Sequence, residues 1–163
     1  MKFAPIVLTG ILAVSLTRAE NTPQSPEPAA KSVLLAYEQT DFKKTLIDEM
    51  AAQLRNASVT VKVIEHSKGA LDKEDPAGYD AIFISNSGVQ SKVRPWITDW
   101  ISRQNAHSSR IILHTTQTKN WTVNVPVDAV TSASAKKDSK KLATEYTARI
   151  QKVLDAPVTD DQE

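Results

Sequence analysis

SVLLAYEQTDFKKTLIDEMAAQL, residues 32–54, is the stretch that decides the fold. Val33 to Tyr37 is an unbroken apolar run, the pattern of a strand covered on both faces. Leu46, Ile47, Met50, Ala51 and Leu54 then recur at i, i+1, i+4, i+5 and i+8, which is one stripe of an α-helix. Lys43, Lys44, Asp48, Glu49 and Arg55 fall outside that stripe. Asn56-Ala57 ends the helix, and the β-branched density of Val59, Val61, Val63 and Ile64 predicts a second strand at about 58–65. Strand, helix, strand is a βαβ unit. In an open sheet of such units, ligands sit outside the carboxyl ends of the strands, so the loop Glu38 to Lys44 is the first wall of any small-molecule site.

The rest of the chain repeats the theme. His66 to Gly78 carries Gly69, Pro76 and Gly78 among charges and reads as loop with room for one turn. YDAIFISN, 79–86, is a second strongly buried strand. Val93, Trp96, Ile97, Trp100 and Ile101 form a helical stripe, with Pro95 suited to its first turn. RIILHT, 110–115, is a third buried strand. The polar connection Gln117–Pro126 holds Trp121, Val127 to Thr131 is a short strand, and Asp138 to Leu154 is a long helix with Leu142, Tyr146, Ile150, Val153 and Leu154 inward. This order predicts an α/β fold: a three-layer, doubly wound, parallel five-stranded sheet in order 2-1-3-4-5, with reduced helices between strands 2–3 and 4–5. The domain runs from 32 to 155, followed by an acidic tail at 156–163.

The amino-terminal MKFAPIVLTGILAVSLTRAE has a basic n-region at Lys2, an apolar run from Phe3 to Leu16 and small residues around Ala19. This is the pattern of a secretory signal peptide, 1–19, cleaved after Ala19. The alternative is a retained membrane anchor, although the run is shorter than the roughly 20 residues a spanning helix needs. Residues 20–31, ENTPQSPEPAAK, read as a disordered linker. The expected address is therefore outside the cytoplasm, periplasmic or secreted. Removing 1–19 takes away Lys2 and Arg18, so 20 basic and 19 acidic residues become 18 and 19. Such a balance argues against nucleic-acid or anionic-membrane partners. Zero cysteine excludes thiol catalysis, cysteine–zinc sites and cysteine-ligated clusters.

Three segments resemble the flavodoxin-like family: VLLAYEQTDFKKTLIDEMAAQL, YDAIFISNSGVQSKVRPWITDWISRQ and VDAVTSASAKKDSKKLATEYTARIQKVL. Together they span nearly all of 32–154. The resemblance implies FMN or a similar flavin as cofactor, and a protein redox partner for electron transfer. By register, Gln39, Thr40, Lys43, Lys44 and Thr45 match the phosphate-binding loop. Asn86, Ser87, Gly88, Thr116 and Trp121 match the loops that flank the isoalloxazine. The phosphate loop departs from the family pattern of Ser/Thr and Gly. Asp41 or Phe42 stands where a glycine would let the backbone approach, and Glu38 and Asp41 would repel a dianionic phosphate. Lys43 and Lys44 oppose the helix dipole, which an anion would relieve; the alternative is that both simply face water. Trp121 either stacks on the heterocycle or plugs the sheet face. The implied role is an electron carrier or binding domain rather than a stand-alone enzyme. Its alternative is a non-redox binding or interaction module that kept the fold without the cofactor.

His66 and His114 fall at the carboxyl ends of predicted strands, and His107 in a turn. Without a carboxylate at ligand spacing they read as structural rather than metal-binding. No Ser-His-Asp set, paired carboxylates or Walker-type loop stands out in the sequence. Asn56-Ala57-Ser58 and Asn120-Trp121-Thr122 are glycosylation sequons, meaningful only in a host that glycosylates exported proteins.

Overall fold

A computed structural model describes residues 30–157. The expected signal peptide, nearly all of the linker and most of the tail lie outside the described residues. Eight main elements follow one another: β1 Ser32–Tyr37, α1 Asp41–Asn56, β2 Thr60–Glu65, β3 Ala81–Ser87, α2 Pro95–Ser102, β4 Ile111–Thr116, β5 Asp128–Ser132 and α3 Ser139–Asp155. The sheet runs β2-β1-β3-β4-β5 and every ladder is parallel, as expected from the sequence.

Side chains alternate across the sheet with period two, so each central strand feeds two cores. Val33, Leu35, Tyr37, Phe83, Ile112 and Val130 join the buried face of α1 and of α3, including Leu46, Met50, Leu54, Tyr146 and Ile150. Leu34, Ala36, Ile82, Ile84 and Leu113 face the other way, against Ile97, Trp100 and Ile101 of α2. Burial on both faces explains why these strands read as continuous apolar runs.

The reduced connections are ordered by specific contacts. Between β2 and β3 there are two short 3₁₀ turns, Leu71–Lys73 and Pro76–Gly78, one more than the sequence suggested. Leu71 is buried, and its carbonyl accepts the Trp100 indole N–H at 3.1 Å. Between β4 and β5 there is no helix. Instead Trp121, Val123, Val125 and Val127 pack on the second core, separated by exposed residues. That odd-numbered spacing is the period of extended chain, and it sets Trp121 as part of the cover of the sheet face.

One expectation is overturned. Lys43 does not face water; its exposure is 1 %. The helical spacing 43, 46, 47, 50, 54 places it on the buried stripe of α1, in the first turn, from where its stem reaches the end of β3. Its charge hid a position that the 3.6-residue period assigns to the interior.

Candidate functional site

The rim begins at Glu38, the first residue after β1, whose N–H donates to the Ser85 carbonyl at 2.9 Å. Three residues later α1 has started. Thr40 is its N-cap, with its hydroxyl accepting the Lys43 N–H at 3.3 Å. No residue from 38 to 43 has a positive φ. The alternating left-handed backbone that turns successive N–H groups onto an anion is therefore not present in this turn.

An anion is nevertheless there, supplied by the chain. The Glu38 carboxylate accepts the Ser87 N–H on Oε2 at 2.7 Å and the Arg94 guanidinium on Oε1. Lys43 Nζ stands 3.7 Å from Oε2 and 2.8 Å from Ser87 Oγ. Burial, the largest influence on Glu38, pushes its carboxyl up. Hydrogen bonds from Ser87 and Arg94 outweigh it and leave the group below the usual carboxylate range. Burial pulls the Lys43 ammonium below its ordinary value, and the Glu38 charge offsets only part of that. The sequence reading of Glu38 as mere repulsion is corrected: the carboxylate joins β1, β3, α1 and the start of α2.

Beneath this cluster lies a second polar layer on the same sheet face. His114 Nδ1 meets Ser85 Oγ at 2.8 Å and its Nε2 meets Ser132 Oγ at 2.9 Å. Its ring stacks on Phe83 and tilts against Tyr146, with centroids 6.0 and 5.0 Å away. Burial, then the nearby Lys43 charge, lowers His114 to about 3. On the opposite face His66 donates from Nε2 to the Ser85 carbonyl at 2.8 Å and sits edge-on to Trp96. Among the described residues no group of three His, Cys, Asp or Glu side chains could hold a metal ion.

The ten residues expected at the site are only partly brought together. Gln39 and Thr40 are exposed, and Lys44 pairs in water with Asp48 at 2.6 Å. The Thr45 hydroxyl donates back to the Asp41 carbonyl at 2.9 Å. Asn86 is buried and ties β3 to β4, donating to the His114 carbonyl and Thr115 Oγ1, both at 3.0 Å. The Gly88 N–H donates to the Thr116 carbonyl at 2.9 Å, and Thr116 Oγ1 to the Asn86 carbonyl at 3.4 Å. Trp121 lies over Gly88. Two groups of the ten come together: Asn86, Gly88, Thr116 and Trp121 at the ends of β3 and β4, and Lys43 with Ser87, the latter pair joined by Glu38 and Arg94, which were not among the ten. The signal at Lys43, a cation in the first turn of α1, was read from the sequence; the missed one was Arg94 just before α2, likewise at the helix end that disfavours positive charge.

Gly88 is a tight spot. A Cβ added there would lie 2.7 Å from Trp121 Cζ2 and 3.3 Å from the Thr116 carbonyl oxygen. Gly88→Ala is expected to destabilise by about 1–3 kcal/mol, because the indole must leave its place on the sheet face. Urea unfolding together with Trp121 fluorescence checks this, and an unchanged midpoint would show that the packing is loose.

No family model matches the chain, and no curated protein matches it. Solved structures do. One is a flavodoxin from the domain Archaea, 16% identical, covering 75% of this chain and 98% of that one, with a TM-score of 0.50. Another is a flavodoxin of Streptococcus pneumonia TIGR4, 10% identical, covering 76% and 99%, also at 0.50. The fold is flavodoxin-like. A flavodiiron core, Flv1 of Synechocystis sp. PCC6803, matches at 14% identity and a TM-score of 0.52, and the chain spans 36% of its length. Identities this low show shared architecture, and function must be argued from the site.

Judged by its own residues, the rim of this flavodoxin-like domain does not fit FMN. The turn that would hold the phosphate has no left-handed residue, and its N-cap Thr40 already takes the Lys43 N–H. The cations that would neutralise a phosphate are engaged with Glu38. The Gly88 surface is covered by Trp121.

Proposed function

We propose that this flavodoxin-like domain is a non-redox binding module, exported from the cytoplasm, whose strand-end rim serves a ligand or protein partner other than FMN. One observation carries the reading: the chain's own Glu38 carboxylate is the anion that Ser87 N–H, Arg94 and Lys43 face at the rim, Lys43 being the cation that the family register places at the phosphate. Titrating the purified protein with FMN, followed by fluorescence quenching, is expected to show no saturable binding below about 100 μM, weaker than roughly −5.5 kcal/mol. A protein that purifies yellow with stoichiometric flavin would overturn this reading.

A second reading, FMN binding with electron transfer to a protein partner, is favoured by a different observation. Trp121 is a half-buried indole set against Gly88, between the loops carrying Ser87 and Thr116. Those are the positions where the family resemblance implies a flavin ring, and an aromatic there is a stacking platform. The same titration decides between the two. Export is tested separately, by locating the protein in fractionated cells and sequencing its mature amino terminus, expected at Glu20.

A further inference from the structure

The side-chain contact between Ser87 Oγ and Lys43 Nζ is one that neither reading above uses. Ser87 is half-buried at the open end of β3, and Lys43 Nζ is 2.8 Å from its Oγ. The charged groups facing Lys43 are Glu38 and Arg94; the His114 ring below is neutral. Glu38 is already hydrogen-bonded on both oxygens, to Arg94 and to the Ser87 N–H, whereas Lys43 at 3.7 Å lies beyond hydrogen-bond reach of it. Two cations thus share one carboxylate, and the longer of the two ion pairs, to the wholly buried Lys43, offsets only part of the cost of desolvating that ammonium. Such an ammonium is relieved by releasing its proton. The amine that results has one lone pair, and the donor beside it is the Ser87 hydroxyl.

We propose that Ser87 is a nucleophile activated by Lys43, able to accept an acyl or phosphonyl group from a small activated ester. The distance and the burial match the requirement for an adjacent base, and serine–lysine pairs are a known variant of this chemistry. As Ser87 Oγ forms its bond to the carbonyl carbon, its proton passes to the Lys43 amine. The bond from that carbon to the leaving oxygen breaks, and the Lys43 ammonium returns the proton to the departing alcohol. Water, deprotonated by the same amine, then hydrolyses the acyl-serine and restores both residues. Arg94, held on the other oxygen of Glu38, is the remaining cation at the rim for charge developing on the ester oxygen.

The test treats the full chain with an alkyl fluorophosphonate and maps the adduct by intact mass and peptide sequencing. One phosphonyl group per chain is expected, on Ser87, and the Ser87→Ala chain should take up none. The labelling rate should rise about tenfold per pH unit and level off once Lys43 is neutral. Lys43→Arg keeps the charge but cannot act as a base, and should slow labelling by at least about 100-fold. Absence of an adduct at Ser87, or wild-type labelling in folded Lys43→Arg, overturns the proposal. Should Lys43→Arg fail to fold, a wild-type rate without the rise and plateau overturns it equally. None of these outcomes depends on whether flavin binds.

Discussion

Lowering the pH from 6.5 toward 4 is expected to cost the domain about 1.4 kcal/mol per pH unit through His114 alone. His114 is buried against Phe83 and Tyr146, and its pKa falls from 6.5 to about 3. Between those values the unfolded chain binds a proton at this site and the folded chain does not, so stability rises with pH across the window. The loss reaches about 4–5 kcal/mol near pH 3, where it saturates. His66, also lowered by burial, adds to the loss with the same sign. Glu38, whose carboxyl is held below its ordinary 4.5, adds a further loss as pH falls through that region. Urea midpoints between pH 7 and 5 isolate the histidines from the carboxylates. His114→Gln should flatten the wild-type slope by about one proton, and equal slopes in the two proteins would contradict the burial argument.

Phe83→Ala is expected to destabilise by about 3–5 kcal/mol. Phe83 has no exposed surface, lies in the middle of β3, and packs on both the His114 and Tyr146 rings, 6.0 and 5.5 Å away. Its removal opens a cavity between the sheet and α3 that backbone pairing on both sides keeps from collapsing. Against a typical total stability of about 5–15 kcal/mol, the variant is left marginal. Val89, an exposed large hydrophobic at 44 %, provides the contrast: Val89→Ala should move the midpoint by less than about 0.5 kcal/mol. A small loss for Phe83→Ala, measured by urea unfolding at constant slope, would mean that the first core repacks around its centre.

The fold was open to reading because its signals are local. The apolar runs around Leu35, Phe83 and Ile112, separated by helices and long connections, define parallel strands buried on both faces before any contact is known. Trp121 was half legible. Its residue type called for cover or for stacking, and only the extended path of 121–127, with Val123, Val125 and Val127 beside it, showed how it covers the sheet face. Lys43 was misread because charge was weighed above helical spacing. Burial of a lysine needs a partner, and that partner was not visible along the chain.

What the sequence by itself determined is the alternation of strands and helices, the sheet order that follows from it, and which apolar residues face inward, since hydrophobic period and chain connectivity depend on neighbours. The tertiary structure alone decided the chemistry of the rim. Glu38 and Arg94 are 56 residues apart and Lys43 and Ser87 are 44 apart, and they meet because the parallel pairing of β1 with β3 sets both strand ends at one level. A carboxylate in a turn, a lysine in a helix and a serine closing a strand are ordinary alone. Their charges and protons acquire meaning only at distances of about 3 Å, where desolvation and pairing compete.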